Sequence, residues 1–259
     1  QLSRAYRAQD SELRGGGKQR RAVFAGLDYW LKHDFKNSNW WWNQIGVPRT
    51  LNRILLLLDE ELSDAQRRQG IEILKRAKLG MTGQNLVWVA EITAVRGVLE
   101  RDPQLVAEAF GRIADEIRVI PNHEGIQADF SFHQHGPCLY SHGYGAGFAA
   151  DCSRLARQVA GTRFAFPPEK IETLSRLILD GHQWMSRGGT VDYGAIGRQI
   201  TRKNQNTRYL SQVAENMLGL PTGREAEFRA LADRAQGDFT VALVGNRHFW
   251  RSDMMTHHR

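Results

Sequence analysis

Apolar residues recur along this chain with helical spacing, and glycines interrupt the rhythm at a few polar stretches. Val23, Leu27, Trp30 and Leu31 share one face of a helix expected over about 19–32. Pro48 suits a helix start, continued by Leu51, Ile54, Leu55 and Leu58. Ser63 is placed to cap a helix running to about Ala77 with Ile71 and Leu74 inward. Further helices are expected over about 86–99, from Asp102-Pro103 to Ile117, and from about His142 through Phe148, Leu155 and Val159. Pro167-Pro168 opens another to about Ser186, and shorter ones lie near 208–218 and 224–235. Segments 239–244 and 246–259 have strand character and many polar groups. Successive helical hairpins predict an all-α fold, a bundle or an α/α toroid, with the polar loops sharing one rim. No Gly/Ser/Pro linker divides the chain, so 1–259 reads as one domain.

One stretch breaks the pattern more than any other. Residues 129–151, DFSFHQHGPCLYSHGYGAGFAAD, hold three histidines, two tyrosines, four glycines and two aspartates. Gly136-Pro137 breaks the backbone, and Gly143, Gly145 and Gly147 let it pass close to something. The expectation is a loop and helix start that present His135 and Tyr144 to a cavity, with His133 and His142 as bystanders. Two other polar segments carry glycine: 80–85, ending in Gln84-Asn85, and 187–202, holding Arg198 and Arg202. Trp40, Trp41 and Trp42 are consecutive, so they cannot all face one core, and at least one is expected on a surface or cleft.

Charge adds a class of partner. A net charge of +7 and a pI near 9.7 favour polyanions such as nucleic acid, anionic lipid or acidic polysaccharide. No nucleic-acid-binding signature accompanies that charge, and no apolar run approaches the roughly 20 residues of a membrane span. Cys138 and Cys152 do not make a disulfide framework, and without a paired-Cys pattern a zinc site is not expected. Gln1 opens the chain with no signal-like apolar region, which reads as a mature or excised segment.

In order, Asn39-Trp40-Trp41, Thr82-Gly83-Gln84-Asn85, Gln134-His135-Gly136 with Tyr144-Gly145, and Gly197-Arg198-Gln199-Ile200-Thr201-Arg202 form a set. The set resembles the α-domain of polysaccharide lyase family 8, the hyaluronate, chondroitin AC and xanthan lyases. Its intervals fit too: 50 residues from Asn85 to His135, nine to Tyr144, 54 to Arg198 and four to Arg202. The resemblance implies an incomplete α/α toroid that binds acidic polysaccharide. It also implies a β-sandwich domain downstream that completes the cleft, beginning about where this chain stops, and a secreted or periplasmic location.

The family reaction is β-elimination at a 4-linked hexuronic acid and needs no metal or redox cofactor. The resemblance makes Asn85 the donor that neutralises the uronate carboxylate and Tyr144 the base and acid. His135 and Arg198 would support the phenolate, and Arg202, one turn on if 198–202 is helical, would hold a substrate anion. Asn39, Trp40, Trp41 and Gln134 would bind the sugar chain. Asn85 can equally cap the helix that starts at Leu86. Tyr140 competes as base, but its spacing from His135 does not fit the family. A non-catalytic module for acidic glycans remains open, as does a hydrolase using Asp129 and Asp151 as its carboxylate pair.

Overall fold

A computed structural model of the chain describes residues 1–238 and 240–259; Phe239, part of the expected strand at 239–244, lies outside the described residues. The chain divides into two compact units. One comprises Gln1–Met81 and Trp88–Phe110, the other Thr82–Val87 and Gly111–Arg259.

The first unit contains α1 (Leu2–Arg7), α2 (Gly17–His33), α3 (Val47–Leu57) and α4 (Asp64–Leu74). It also holds most of α5 (Gly83–Glu100) and the first part of α6 (Pro103–Glu116). Val23, Leu27 and Leu31 of α2 are buried as expected. The helix expected to start at Pro48 begins earlier, because a π-helical turn over Trp42–Gly46 runs straight into α3. The wider turn accommodates a proline, which lacks an N–H and crowds the preceding turn. Ser63 and Gln66 form a capping box at the start of α4. That helix ends at Leu74 rather than Ala77, and Ile73 is buried in place of Ile71. Gly70 makes the α3–α4 contact possible, since a Cβ there would press into the Leu55 side chain.

The second unit begins with the first turn of α5 and the end of α6. A short antiparallel pair follows, β1 (Gly125–Ile126) with β2 (Phe132–His133). Then come α7 (Tyr144–Val159), α8 (Pro168–Arg176), the hairpin β3 (Ser186–Arg187) and β4 (Thr190–Val191), and the helices α9 (Arg208–Leu218) and α10 (Glu225–Ala235). The helix expected to reach Ser186 instead passes at Leu177 into a π turn and then a 3₁₀ turn over His182–Met185. The backbone at Gly181 lies directly against the Phe130 carbonyl, and a Cβ there would collide with that oxygen. Gly181→Ala is therefore expected to cost about 1–3 kcal/mol, read as a lower urea midpoint at unchanged slope; an unshifted midpoint would show that the contact gives way.

The extended C-terminal end is a hairpin, β5 (Gly245–Phe249) paired antiparallel with β6 (Met254–His258). Thr240 to Val244 are not strand, so the extended segment starts later than its composition suggested. Phe249 anchors the hairpin in a small core with Met185 and Ala195. Both cysteines are free.

Candidate active site

The loop expected at 80–85 is the entry to α5: the helix starts at Gly83, so Asn85 is its third residue and not its cap. Remote side chains satisfy the exposed N–H groups of this helix start. The buried Glu116 carboxylate accepts from Gly83 N at 2.5 Å, and Gln134 Oε1 accepts from Gln84 N at 3.2 Å. Burial raises the pKa of Glu116, partly offset by that backbone bond. Gln84 Nε2 donates to Asp151 Oδ2 of α7 at 2.8 Å. The Asn85 Oδ1 is buried and has no hydrogen-bond partner among the described residues.

Glu124 ties this entry to the histidine loop. Its Oε2 accepts from Thr82 Oγ1 at 2.8 Å and from the Gln134 side-chain amide, while its Oε1 accepts from the backbone N of His135 at 2.6 Å. His135 sits in the left-handed region at φ 62°, a conformation unfavourable for a non-glycine residue unless neighbours hold it. Gln134, expected at the substrate, is fully buried and spent on Glu124 and Gln84. Its side chain bridges Glu124 and the start of α5. No local signal in the sequence marks Glu124 or Glu116, because their partners lie 10 to 42 and 33 residues away.

Two glycines of the central stretch, Gly143 and Gly145, make room for rings. A Cβ on Gly143 or on Gly197 would run into Tyr140, and one on Gly145 would meet Phe132 and His182. Tyr140 is thus enclosed, with 2% of its surface exposed, and is withdrawn from contact with a polymer. Tyr144, the first residue of α7, is half-buried. Its ring lies 5.0 Å from the His135 ring, edge to face, and 5.1 Å from Tyr140.

Arg198 completes the group. Its Nη2 lies 2.5 Å from His135 Nε2. A guanidinium can only donate, so His135 is neutral with its proton on Nδ1. Burial and the Arg198 cation both lower the His135 pKa, with Glu124 opposing them. Protonation, which would remove the acceptor, therefore sets in below the ordinary histidine value of about 6.5. Arg198→Ala is expected to move the His135 midpoint upward in an NMR titration of the ring; an unmoved midpoint would show the pair does not interact in solution.

Burial raises the Tyr144 pKa and Tyr140 adds to it, while Arg198 and Arg202 pull it down without reversing the net direction. With no substrate bound the phenol is therefore protonated at neutral pH, and the phenolate that His135 and Arg198 are expected to support is not the resting form. Arg202 does not meet the condition of a helical turn. Residues Gly197–Thr201 are a 3₁₀ turn and Arg202 leaves it extended, so the two arginines are not one α-helical turn apart.

The remaining expected residues lie in the first unit. Asn39 Oδ1 accepts from Trp41 N at 3.0 Å and so caps the helical start. Trp40 is 49% exposed, whereas Trp41 packs edge-on against Trp42 and Trp88 with centroids 5.1 and 5.5 Å away. Trp42, also exposed, lines a cavity of about 700 Å³ with Leu27, Trp30, Phe35 and Ile54. The alternative carboxylate pair is engaged elsewhere. Asp129 is buried and accepts from Ser131 and from Arg251 N, and Asp151 is buried against Gln84 and Arg154.

Residues 1–234 match the family model described as polysaccharide lyase family 8, N terminal alpha-helical domain. The chain belongs to polysaccharide lyase family 8. Within that family it is 29% identical, over 271 residues, to a chondroitinase AC of Pedobacter heparinus, covering all of this chain and 38% of that protein. It is 26% identical over 204 residues to a xanthan lyase of Bacillus sp. strain GL1, covering 74% of this chain and 22% of that protein. A solved chondroitinase AC lyase superposes with a TM-score of 0.92 at 26% identity, over 99% of this chain and 39% of that one. The family 8 chain is accordingly all-α, of the α/α-toroid kind, and spans well under half the length of these relatives.

Proposed function

We propose that the protein carrying this chain is a lyase that cleaves 4-linked, uronic-acid-containing acidic polysaccharide by β-elimination. Glycosaminoglycans such as chondroitin or hyaluronan are the proposed substrates. The observation that carries the reading is the Tyr144–His135–Arg198 group, a phenol beside a neutral histidine whose ring nitrogen is held by a cation.

In the proposed reaction Asn85 donates to the uronate carboxylate, stabilising charge that develops as the C5 proton leaves. Tyr144, as phenolate, takes that proton; the C5–H electrons form the C4–C5 double bond and the C4–O4 bond breaks. The phenol proton passes to O4, which regenerates the phenolate. Because the phenol is protonated before substrate binds, it first releases its proton to solvent, a loss that Arg198 and Arg202 favour by lowering its pKa. Nδ1–H is the donor left to His135 once Arg198 occupies Nε2. Arg202 and Arg198 would hold substrate anions, and Asn39, Trp40 and Trp41 the sugar chain, their rings against sugar faces. Residues 1–259 would form the catalytic α-domain of a secreted or periplasmic protein, followed by a β-sandwich domain. No helix among the described residues is long and apolar enough to cross a membrane.

The test mixes the full-length protein with hyaluronan, chondroitin and xanthan and follows the ultraviolet absorbance of the new conjugated double bond. Rising absorbance with one polymer supports the lyase and names its substrate class. A flat trace with all three, while one still binds, moves the reading to a non-catalytic acidic-glycan module built on the same basic charge and exposed tryptophans.

A further inference from the structure

Behind Tyr144 lies a second cluster of titratable side chains that the proposed reaction does not use. His142 is buried, with Nε2 3.1 Å from the carbonyl oxygen of His182. Only an N–H can bond a carbonyl, so the His142 proton is on Nε2 and Nδ1 is an acceptor. Tyr209 Oη of α9 lies 2.8 Å from that Nδ1 and therefore donates to it. The same Oη lies 3.3 Å from His182 Nδ1, which must then carry a proton and donate to the phenol oxygen. The bonds close a circuit: His182 ring to Tyr209, Tyr209 to His142, His142 back to the His182 backbone. Burial keeps both rings neutral, with His142 lowered to about 4 and His182 well below its ordinary value.

The circuit is tied to the start of α7 at two points. His142 is two residues before Tyr144, and its backbone N donates to Ala195 O at 2.9 Å in the segment that leads to Arg198. His182 Nε2, buried and without a hydrogen-bond partner among the described residues, lies 3.1 Å from where a Cβ on Gly145 would stand. Tyr144 thus sits between a residue whose side chain the circuit pins and a glycine against which the circuit packs. Gly143, at φ −116° and ψ −95°, makes the turn between them. Without the circuit, the backbone entering α7 would keep the Ser141 Oγ bond to Phe132 N but lose the hold that Tyr209 has on His142.

We propose that Tyr209 is a positioning residue for Tyr144, acting through the closed hydrogen-bond circuit with His142 and His182; this rests on Tyr144 being the catalytic group of the lyase. A small displacement of a reacting group costs up to about a hundredfold in rate. Tyr209→Phe keeps the ring and removes the one hydroxyl that both imidazoles use.

The experiment compares full-length wild type, Tyr209→Phe and Val213→Ala, the last a buried α9 residue outside the circuit. It measures kcat, KM, the melting temperature and the ¹³Cζ NMR signal of Tyr144 in tyrosine-labelled protein. The expected result for Tyr209→Phe is a kcat about ten- to a hundredfold lower, with KM little changed and a displaced Tyr144 signal. Val213→Ala is expected to lower the melting temperature at least as far while keeping kcat and the Tyr144 signal. A Tyr209→Phe protein with wild-type kcat and a stationary Tyr144 signal would overturn the proposal. So would equal losses of kcat in the two variants, which would make the role one of stability alone. If wild type itself forms no product, the lyase reading fails, and the Tyr144 signal alone decides whether Tyr209 positions that ring.

Discussion

Tyr144→Phe is expected to lower kcat at least about a thousandfold, while the protein stays folded and still binds polymer. The phenol is asked to do both proton transfers, and each positioned acid or base contributes about 10²–10⁴. The ring itself remains, so its edge-to-face contacts with His135 and Tyr140 persist and the melting temperature should barely move. The competing phenol cannot substitute, because Tyr140 is enclosed by Gly143 and Gly197. Binding is read by calorimetry with the uncleaved polymer and turnover by absorbance of the unsaturated product. A variant that retains more than a tenth of wild-type kcat would remove Tyr144 from the reaction.

Glu124→Ala is the second large expected effect, although this residue touches no substrate in the proposed reaction. One carboxylate holds the Thr82 hydroxyl, the Gln134 amide and the His135 N–H, joining the approach to Asn85 with the loop that aims His135. Removing it leaves the left-handed His135 backbone without its acceptor and Gln134 with a buried unpaired amide. The expected losses are about 1–3 kcal/mol of stability and about a hundredfold in kcat/KM. The charge also acts at a distance: Glu124 raises the His135 pKa, so its loss moves the His135 midpoint further down. Steady-state kinetics and an NMR titration of the ring check both. Intact kcat/KM in a Glu124→Ala protein would show that the loops hold their geometry without it.

The all-α class was legible because helical spacing at Val23, Leu27 and Leu31 or at Phe148, Leu155 and Val159 reports burial directly. Interruptions were not, since the break after Arg176 depends on Gly181 meeting Phe130, 51 residues earlier in the chain. The order of Asn85, His135, Tyr144 and Arg198 pointed to residues that share one compact unit. Which side chains face outward was harder to read. Gln134 and His135 are neighbours, yet one is fully buried and the other exposed, because Glu124 and Gln84 claim the glutamine. Gly143, Gly145 and Gly147 were expected to let the backbone pass close to something, and what they pass is Tyr140, Phe132 with His182, and Gln84. His142, set aside as a bystander, joins a circuit only because α9 brings Tyr209 to it from 67 residues away.

Elimination and hydrolysis differ by one water in the fragment that carries the new non-reducing end, and a mass spectrum of cleaved chondroitin or hyaluronan reads that difference directly. The account predicts fragments lighter by one water, ending in an unsaturated uronate, formed by the full-length protein and absent with Tyr144→Phe. Saturated fragments, or fragments that persist undiminished in the Tyr144→Phe variant, would contradict it.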